Sequence, residues 1–397
     1  MPGPLGGIRV LDASRVLTGP FATMTLGDLG AEIIKIETPN AGDDTRQWGP
    51  PFIAGESAYF LSINRNKKSL TLNLNTEQGR NIFYDLAAKC DVLIENFRPG
   101  VTEKLQIDYE TVSKKNPKLI YCSITGYGAD GPYRDWPAYD IVVQGMGGIM
   151  GVTGEADRPP VRIGVAISDI GAGMYACIAI LAALAARERT GKGQLIDISL
   201  LDSTISWMTY MAGHFFATGH TPKRMGSAHP TIVPYQCFKT KDEEFITIAI
   251  GNDKLFRNFS DAIGMKELAD DPKFVSNPLR VANRAQLIPL LERRMQERTR
   301  REWLQVLAGA GLPAGAVYSI GDVFSDPQVL HREMMVKIMH PRAGEISQIG
   351  IPMKFSQTKT EIRTPPPLLG EHTEEILHTL LGYETQRILE LHERGII

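Results

Sequence analysis

Short apolar runs alternate along the first half of the chain with longer segments of helical periodicity. The apolar runs have the length and spacing of buried strands, and they lie at residues 8–12, 31–37, 70–74, 91–95, 119–124 and 195–199. Helical patterns fill two of the gaps, at 19–30 and at 76–90, the latter with Thr76 as a plausible N-cap. Strands that alternate with helices predict an α/β fold with a parallel, Rossmann-like sheet.

The least polar helix predicted in the chain follows Asp169. A strand-like apolar run, 162–168, leads into this aspartate, and residues 170–186 carry no charge before Arg187. An aspartate before a helix is commonly an N-cap. It is also a candidate nucleophile, because the positive end of the helix stabilises its ionised form. The local pattern leaves both interpretations open. Gly171 and Gly173 would let a ligand approach the carboxylate closely.

The pattern changes after about residue 218. A strand is predicted at 245–250, charged helices at 252–263 and 280–307, a strand-and-turn segment at 340–364 and a last helix from Thr373. We therefore predict a large domain at 1–224, a smaller α/β domain at 225–330, and a segment at 331–397 that returns to the large domain.

Composition limits the classes of protein that fit. A chain of 397 residues is long enough for two domains, and its net charge of −2 does not predict nucleic-acid binding. The four cysteines have no CxxC spacing and the histidines no ligand spacing, so no metal site is expected. The amino terminus has no signal-peptide pattern, and the apolar run after Asp169 is marginal for a membrane span. We expect a cytoplasmic protein that does not bind membranes.

Common nucleotide and hydrolase motifs do not occur in the sequence. It has no GxGxxG after the first strand, no Walker A, no GxSxG and no HExxH. Residues 64–69 hold three cations, which would form a solvated turn or face a phosphorylated ligand. Residues 95–100 leave the end of a strand, where ligands bind in open α/β sheets.

Several motifs together carry a specific resemblance. They occur in order over nearly the whole chain, at residues 8–12, 30–37, 42–46, 64–69, 95–100, 125–128, Asp169, 191–193 and 366–373. This arrangement resembles the class III CoA-transferases of the formyl-CoA transferase type. Residues 226–235 and 238–242 look most like those of the succinyl-CoA:glutarate and other dicarboxylate members.

The resemblance implies roles for individual residues. Asp169 matches the nucleophile. The positions that match CoA-contacting residues are Leu17, Thr18, Thr38, Leu72, Asn73, Leu74, Asn75, Asn96, Phe97, Arg98, Lys104, Trp136, Pro137, Ala138 and Tyr139. Thr38 and Asn75 stand where basic residues are familiar in the family, so Lys67, Lys68 and Arg46 are candidates to compensate in phosphate binding.

The resemblance also implies a reaction and an assembly. CoA would move from an acyl-CoA, succinyl-CoA first, to a free dicarboxylate, glutarate first, through an aspartyl-CoA thioester on Asp169. Amides near residues 145–148 would stabilise the oxyanion. Arg224 and His229 are candidates to hold the distal carboxylate, unless their segment is simply a solvated loop. Coenzyme A would be the co-substrate with no metal or further cofactor, and two chains would form an interlocked homodimer.

Three other functions compete with this one. A formyl-CoA, oxalate or other carboxylate transferase would use the same nucleophile. An α-methylacyl-CoA racemase would need a histidine base where this chain has Tyr139, in Ala138-Tyr139-Asp140, and tyrosine with a pKa near 10 is a poor base at neutral pH. A non-catalytic CoA-binding scaffold would need Asp169 to be only a helix cap.

Overall fold

The computed structural model describes residues 3–397, which divide into two compact units. The first unit comprises the chain up to Ile149, together with Ile163–Ala212 and Pro327–Ile397, and the second comprises Met150–Arg162 and Gly213–Asp326. The sequence placed the division at 225 and 330 and did not anticipate that Met150–Arg162 belongs with the smaller unit.

A six-stranded sheet organises the first unit. Its order is β5-β2-β1-β6-β7-β8, and every neighbouring pair is parallel, as the alternation of strands and helices predicts. The direction of strand addition reverses between β1 and β6. The strands of the chain are β1 (Arg9–Asp12), β2 (Glu32–Glu37), β3 (Phe52–Ile53), β4 (Glu56–Ser57), β5 (Lys67–Thr71), β6 (Val92–Glu95), β7 (Ile120–Thr125), β8 (Leu195–Ser199), β9 (Tyr235–Lys239), β10 (Phe245–Ala249), β11 (Ala314–Ala316), β12 (Met335–His340) and β13 (Gly344–Ile349).

Helices cover both faces of this sheet, as a buried parallel sheet requires. In chain order the helices are α1 (Thr18–Asp28), α2 (Ala58–Ile63), α3 (Glu77–Ala87), α4 (Val101–Leu105), α5 (Tyr109–Val112), α6 (Asp140–Met146), α7 (Ile149–Val152), α8 (Ile167–Thr190), α9 (Leu200–Ser206), α10 (Thr209–Thr218), α11 (Asp253–Ala262), α12 (Asn277–Ala282), α13 (Arg284–Met295), α14 (Arg300–Gly309), α15 (Ile320–Val323), α16 (Pro327–His331), α17 (Thr373–Leu381) and α18 (Thr385–Glu393).

Two apolar cores lie on the two faces of the sheet. One core packs residues of α3, α17 and α18, such as Phe83, Leu377 and Leu391, against the strands. The other packs α1 and α8, including Ala22 and Ala176. The carboxyl-terminal helices therefore complete the large unit.

The second unit has its own sheet and its own core. β9, β10 and β11 form an antiparallel sheet in the order β11-β10-β9. Phe256 of α11, Leu291 of α13 and Trp303 of α14 are fully buried against it.

Helix α8 is the longest helix and begins two residues before Asp169. Gly191 ends it in the left-handed conformation, at φ 69°, where glycine is favoured. Among residues 3–397, α8 alone is long and apolar enough to cross a membrane by length and composition, and 44% of its apolar window is buried within the chain. The same test is passed by core helices, and Ala172, Ala176 and Ile180 of α8 are buried in the core beside α1.

Local predictions were wrong at two places. Residues 162–168 form no strand, because α8 already begins at Ile167. Residues 64–69 are not a solvated turn. Lys67 starts the edge strand β5 and is 1% exposed, because the buried Asp12 carboxylate pairs with its ammonium group.

Candidate active site

A cavity lies at the carboxyl ends of the central strands, next to the point where the strand order reverses. Parallel α/β sheets bind ligands at this place. Segments that follow β1, β6 and β7 contribute most of the lining, and α8 contributes Asp169. The lining residues are Arg15, Val16, Leu17, Thr18, Asp44, Asn96, Phe97, Arg98, Pro99, Ile124, Thr125, Gly126, Arg134, Trp136, Ala138, Tyr139, Asp169 and Leu200.

Asp169 is not the cap of its helix. It is the third residue of α8, and the N-cap residue Ala166 makes no side-chain cap bond. Asp140 takes over this role, because its Oδ1 accepts a 2.9 Å hydrogen bond from the backbone N–H of Ser168. The Asp169 carboxylate instead accepts a 2.5 Å hydrogen bond from the Thr18 hydroxyl, through Oδ1. Asp169 is thus available for chemistry.

The surroundings of Asp169 raise its pKa to about 6. Burial is the main cause, and the nearby negative charge of Asp140 adds to it, whereas the hydrogen bond from Thr18 acts in the opposite direction. Near neutral pH the carboxylate is ionised but poorly solvated. A carboxylate that has lost hydration is a stronger nucleophile than one in water.

The two glycines beside Asp169 serve helix packing. A Cβ atom on Gly173 would lie 2.8 Å from the carbonyl oxygen of Thr18, and one on Gly171 would lie 2.3 Å from the Trp207 ring. We expected these glycines to leave room for a ligand, but in the structure they make room for neighbouring protein atoms. Gly173 lets α8 approach the start of α1, and this contact brings the Thr18 hydroxyl to Asp169, whereas Gly171 lets the Trp207 ring pack against α8.

Tyr59 is a neighbour of Asp169 that the sequence did not single out. Burial, followed by the charge of Asp169 and those of Asp43 and Asp140, raises the pKa of Tyr59 to about 12. Its phenol therefore stays protonated and can donate. The ring packs edge-on against Trp48, with centroids 5.2 Å apart.

Most of the predicted CoA-contacting residues line two neighbouring cavities. Leu17, Thr18, Asn96, Phe97, Arg98, Trp136, Ala138 and Tyr139 line the cavity with Asp169. Thr38, Leu72, Asn73, Leu74 and Asn75 line a second cavity, at the carboxyl ends of β2 and β5. Lys104 and Pro137 line neither of these cavities, and both are exposed.

The three cations expected to compensate for Thr38 and Asn75 are already paired. Lys67 is fully buried with its Nζ 3.2 Å from Asp12, and Arg46 makes two 2.7 Å bonds to Glu37. Lys68 contacts Glu32 and Glu375. This interpretation was therefore wrong. The cations that do line the Asp169 cavity are Arg15, Arg98 and Arg134.

The amides near residues 145–148 are also engaged. Gly147 N donates to Val143 O at 2.8 Å and Gly148 N to Gly145 O at 3.4 Å, because these residues form the last turn of α6 and its exit. An oxyanion site at these two amides is not supported.

Arg224 and His229 both lie in the second unit. Arg224 Nη2 donates to Arg158 O at 2.9 Å, and its guanidinium also contacts the carbonyls of Glu155 and Ala156. Burial, and then the charge of Arg284, lower the pKa of His229. Its imidazole is accordingly neutral near pH 7. Among residues 3–397, no group of three or more His, Cys, Asp or Glu side chains is placed to hold a metal ion.

Known proteins resemble the chain over nearly its whole length. Residues 5–373 match the CoA-transferase family III. The succinyl-CoA:glutarate CoA-transferases of Mus musculus and Homo sapiens are 47% and 45% identical to it over 394 residues, which are 99% of this chain and 90% of each relative. The crystal structure of a CAIB/BAIF family protein from Brucella suis superimposes with a TM-score of 0.85 at 46% identity, and the match covers 96% of this chain and 100% of that one. The fold, the cavity that Asp169 lines and these similarities agree, and the chain belongs to the CoA-transferase family III and is a transferase.

Proposed function

We propose that the protein transfers CoA from succinyl-CoA to glutarate, with Asp169 as the nucleophile. The observation that carries this proposal is the partly buried carboxylate of Asp169, which is oriented by Thr18 inside the cavity at the switch point of the sheet. The names of the relatives that are 45–47% identical support the substrate pair.

The proposed reaction proceeds through two anhydrides and one thioester. The Asp169 carboxylate attacks the thioester carbonyl of succinyl-CoA, which gives a succinyl-aspartyl anhydride and CoA thiolate. The thiolate attacks the aspartyl carbonyl, so that succinate leaves and an aspartyl-CoA thioester remains. Glutarate attacks this thioester and releases the thiolate again. The thiolate then attacks the glutaryl carbonyl of the second anhydride, and glutaryl-CoA leaves as Asp169 is regenerated.

The geometry assigns roles within these steps. Thr18 holds Oδ1 of Asp169, so we assign Oδ2 as the attacking oxygen. Asp169 lies in the first turn of α8, where the positive end of the helix favours its ionised form. The protonated phenol of Tyr59 is a candidate donor to a carboxylate or oxyanion beside Asp169.

The CoA molecule would occupy both cavities. Its thioester must reach Asp169 in the first cavity, and the second cavity, lined by Thr38 and Leu72, would accept the far end of the molecule. Of the predicted contacts at residues 96–98, Asn96 and Arg98 line the first cavity and Phe97 lines both. Coenzyme A is the co-substrate, and no step requires a metal or redox group.

The acceptor contacts remain part of this proposal. Arg224 and His229 are assigned to the distal carboxylate of glutarate, Arg224 by charge and His229 as a neutral single donor. Arg224 also braces the turn at residues 155–158. Arg224→Lys, which keeps the charge, is therefore the matched control for Arg224→Ala. A loss of glutarate turnover in Arg224→Ala that Arg224→Lys largely restores, with unchanged melting temperatures, supports the assignment, whereas an equal loss in both variants points to the bracing contacts instead.

The decisive experiment combines a substrate panel with trapping. Wild-type protein is assayed with succinyl-CoA and glutarate, succinate, malate, oxalate, formate or butyrate. Hydroxylamine should trap a CoA thioester on the wild type and none on Asp169→Ala, which should still bind CoA. Turnover in Asp169→Ala like that of the wild type overturns the mechanism. If the enzyme prefers oxalate or butyrate, it is a CoA-transferase with a different acceptor. If it exchanges the α-proton of a 2-methylacyl-CoA when no acceptor is present, it is a racemase.

We also propose that two chains form an interlocked homodimer. Met174, Ile178 and Leu181 make an apolar stripe on the exposed side of α8, with exposed fractions of 51%, 58% and 38%. Ile141 and Val142 of α6 are exposed as well. A continuous apolar surface of this kind marks a protein interface, and a second copy is the occupant that the family resemblance implies. Light scattering should give twice 43.8 kDa, and a stable active monomer would refute the proposal.

A further inference from the structure

The two cavities meet at Arg15. Among the residues that line both of them are Arg15 and Phe97. Arg15 follows β1, the strand at the centre of the sheet, whereas the other residues of each cavity come mainly from one side of it. A ligand that extends from Asp169 into the second cavity must therefore pass Arg15.

The backbone of Arg15 is held rigidly. The Asn96 side chain accepts a 2.8 Å bond from Arg15 N and donates a 2.8 Å bond to Arg15 O. The next residue, Val16, has φ 69°, which is unusual for a β-branched residue and indicates a constrained loop. The Asp43 carboxylate accepts from Val16 N. The guanidinium thus projects from a fixed position.

The side chain of Arg15, in contrast, is only weakly engaged. It is 48% exposed, and its one ion pair is a 3.7 Å contact with Asp44, which is 58% exposed. Exposed pairs of this kind contribute little free energy. Its guanidinium also lies 5.3 Å from the centre of the Phe97 ring. Arg15 can therefore exchange Asp44 for a stronger anion at small cost.

No other cation of the second cavity is available in this way. Its lining contains two basic residues, Arg15 and Lys35. Lys35 is fully buried, pairs with Asp43 at 2.9 Å and donates to Ser14 O at 2.9 Å. Removing it from Asp43 would leave a buried carboxylate unpaired, which is costly. Arg15 is the cation that an anionic ligand meets at the junction.

The position of Arg15 along the bound ligand indicates which anionic group it contacts. We propose that Arg15 binds the diphosphate of coenzyme A, which lies in the middle of the molecule between the thiol arm and the adenosine. This inference rests on the proposal that CoA occupies both cavities. A guanidinium forms two parallel hydrogen bonds with phosphate oxygens, so Arg15 would fix the register of CoA and hence the place of the thioester relative to Asp169.

The test uses two ligands that differ only at the adenosine end. Both CoA and 3′-dephospho-CoA carry the diphosphate, and only CoA carries the 3′-phosphate. Their dissociation constants are measured by calorimetry for the wild type, Arg15→Gln, Arg15→Lys and Lys68→Gln. Lys68 is a surface lysine outside both cavities and serves as the matched control.

We expect Arg15→Gln to lower the affinity for both ligands by the same factor, roughly 10- to 150-fold. Arg15→Lys should recover part of the affinity, and Lys68→Gln should change neither dissociation constant. With succinyl-CoA, KM should rise far more than kcat falls. Melting temperatures report whether the variants fold.

Three results would overturn the inference. Unchanged affinities in Arg15→Gln would show that Arg15 does not contact CoA. If Arg15→Gln loses affinity for CoA but not for 3′-dephospho-CoA, Arg15 contacts the 3′-phosphate instead. Failure of the wild type to bind either ligand would overturn the proposed function as well, and this result is distinguishable because binding is measured without any acceptor.

Discussion

At the scale of single residues, the proposed mechanism depends on the surroundings of one carboxylate. Asp169 is desolvated, which raises its pKa to about 6, and receives a hydrogen bond from Thr18 that limits the rise. Burial supplies reactivity, and the hydroxyl supplies orientation and keeps the group ionised near neutral pH. Both effects can be measured separately.

The pH dependence of turnover should report the Asp169 carboxylate. Because only the ionised form attacks, kcat/KM should fall as the pH drops through about 6. Thr18→Val removes the bond that lowers this pKa, so the acidic limb should move to higher pH by roughly one unit. Thr18→Ser should restore the wild-type profile. An identical acidic limb in Thr18→Val would contradict the role of this hydroxyl.

The stability of the protein should depend on the ionisation of the same Asp169 carboxylate. The pKa of Asp169 in the folded state, about 6, is above its unfolded value, so the folded protein binds this proton more tightly and loses stability as the pH rises through that range. Asp169→Asn should therefore be more stable than the wild type at pH 8, by up to about 3 kcal/mol. The difference should vanish below about pH 4. Urea unfolding at one fixed protein concentration measures it.

At the scale of elements, the close contact between α8 and α1 brings the reacting groups together. Gly173 permits this contact, because a Cβ there would lie 2.8 Å from Thr18 O, a backbone atom that cannot move alone. The loop before α1 is fixed separately, by the buried pair of Lys35 with Asp43. The helix contact at Gly173 and the buried pair of Lys35 can each be tested by a substitution.

Gly173→Ala should push α8 away from α1. We expect a loss of about 1–3 kcal/mol in unfolding free energy, as for other overpacked sites, and a larger loss of kcat than of CoA affinity. Gly309→Ala at the end of α14, where a Cβ meets nothing within 4 Å, should be neutral or slightly stabilising. Equal behaviour of the two variants would mean that the helix contact is not tight.

Replacement of Lys35 should be far more damaging than replacement of its neighbour Lys68. Lys35→Met leaves the Asp43 carboxylate buried without its partner and should cost about 3–5 kcal/mol. Lys68→Met removes only surface pairs and should cost less than about 1 kcal/mol. Denaturant unfolding of both variants checks this, and similar values would show that the buried pair adds no stability.

At the scale of the whole molecule, the apolar stripe on α8 is an exposed surface to which we assign the dimer interface. Ile178→Glu places a charge at its centre and should convert a dimer into monomers, with loss of activity if the assembly is needed. Leu389→Glu, at an exposed apolar position of α18, is the matched control and should leave the mass unchanged. Light scattering over a dilution series distinguishes the two. A dimeric Ile178→Glu would place the interface elsewhere.

The sequence alone predicted much of the fold and its most important residue. Periodic patterns are local, so the strands at 91–95, 119–124 and 195–199 were found within a residue or two. The cap Thr76 was predicted from the same local chemistry. Asp169 and the family were identified from motifs that occur in a fixed order, and this order can be read from the sequence alone.

Only the tertiary structure decided which polar groups are available. The sequence made Lys67, Arg46 and Lys68 look like phosphate ligands, because it shows a charge without its partner. Asp12 and Glu375, which pair with the two lysines, are distant along the chain, and the pairing of Arg46 with Glu37 depends on how the chain turns after β2. Asp169 could not be distinguished from an N-cap until Asp140 was seen to cap α8. Arg15 is one residue of a loop in the sequence, and its place between two cavities exists only because parallel strands bring their carboxyl ends together. Local periodicity determines elements, whereas pairing of distant charges and the meeting of strand ends determine the site.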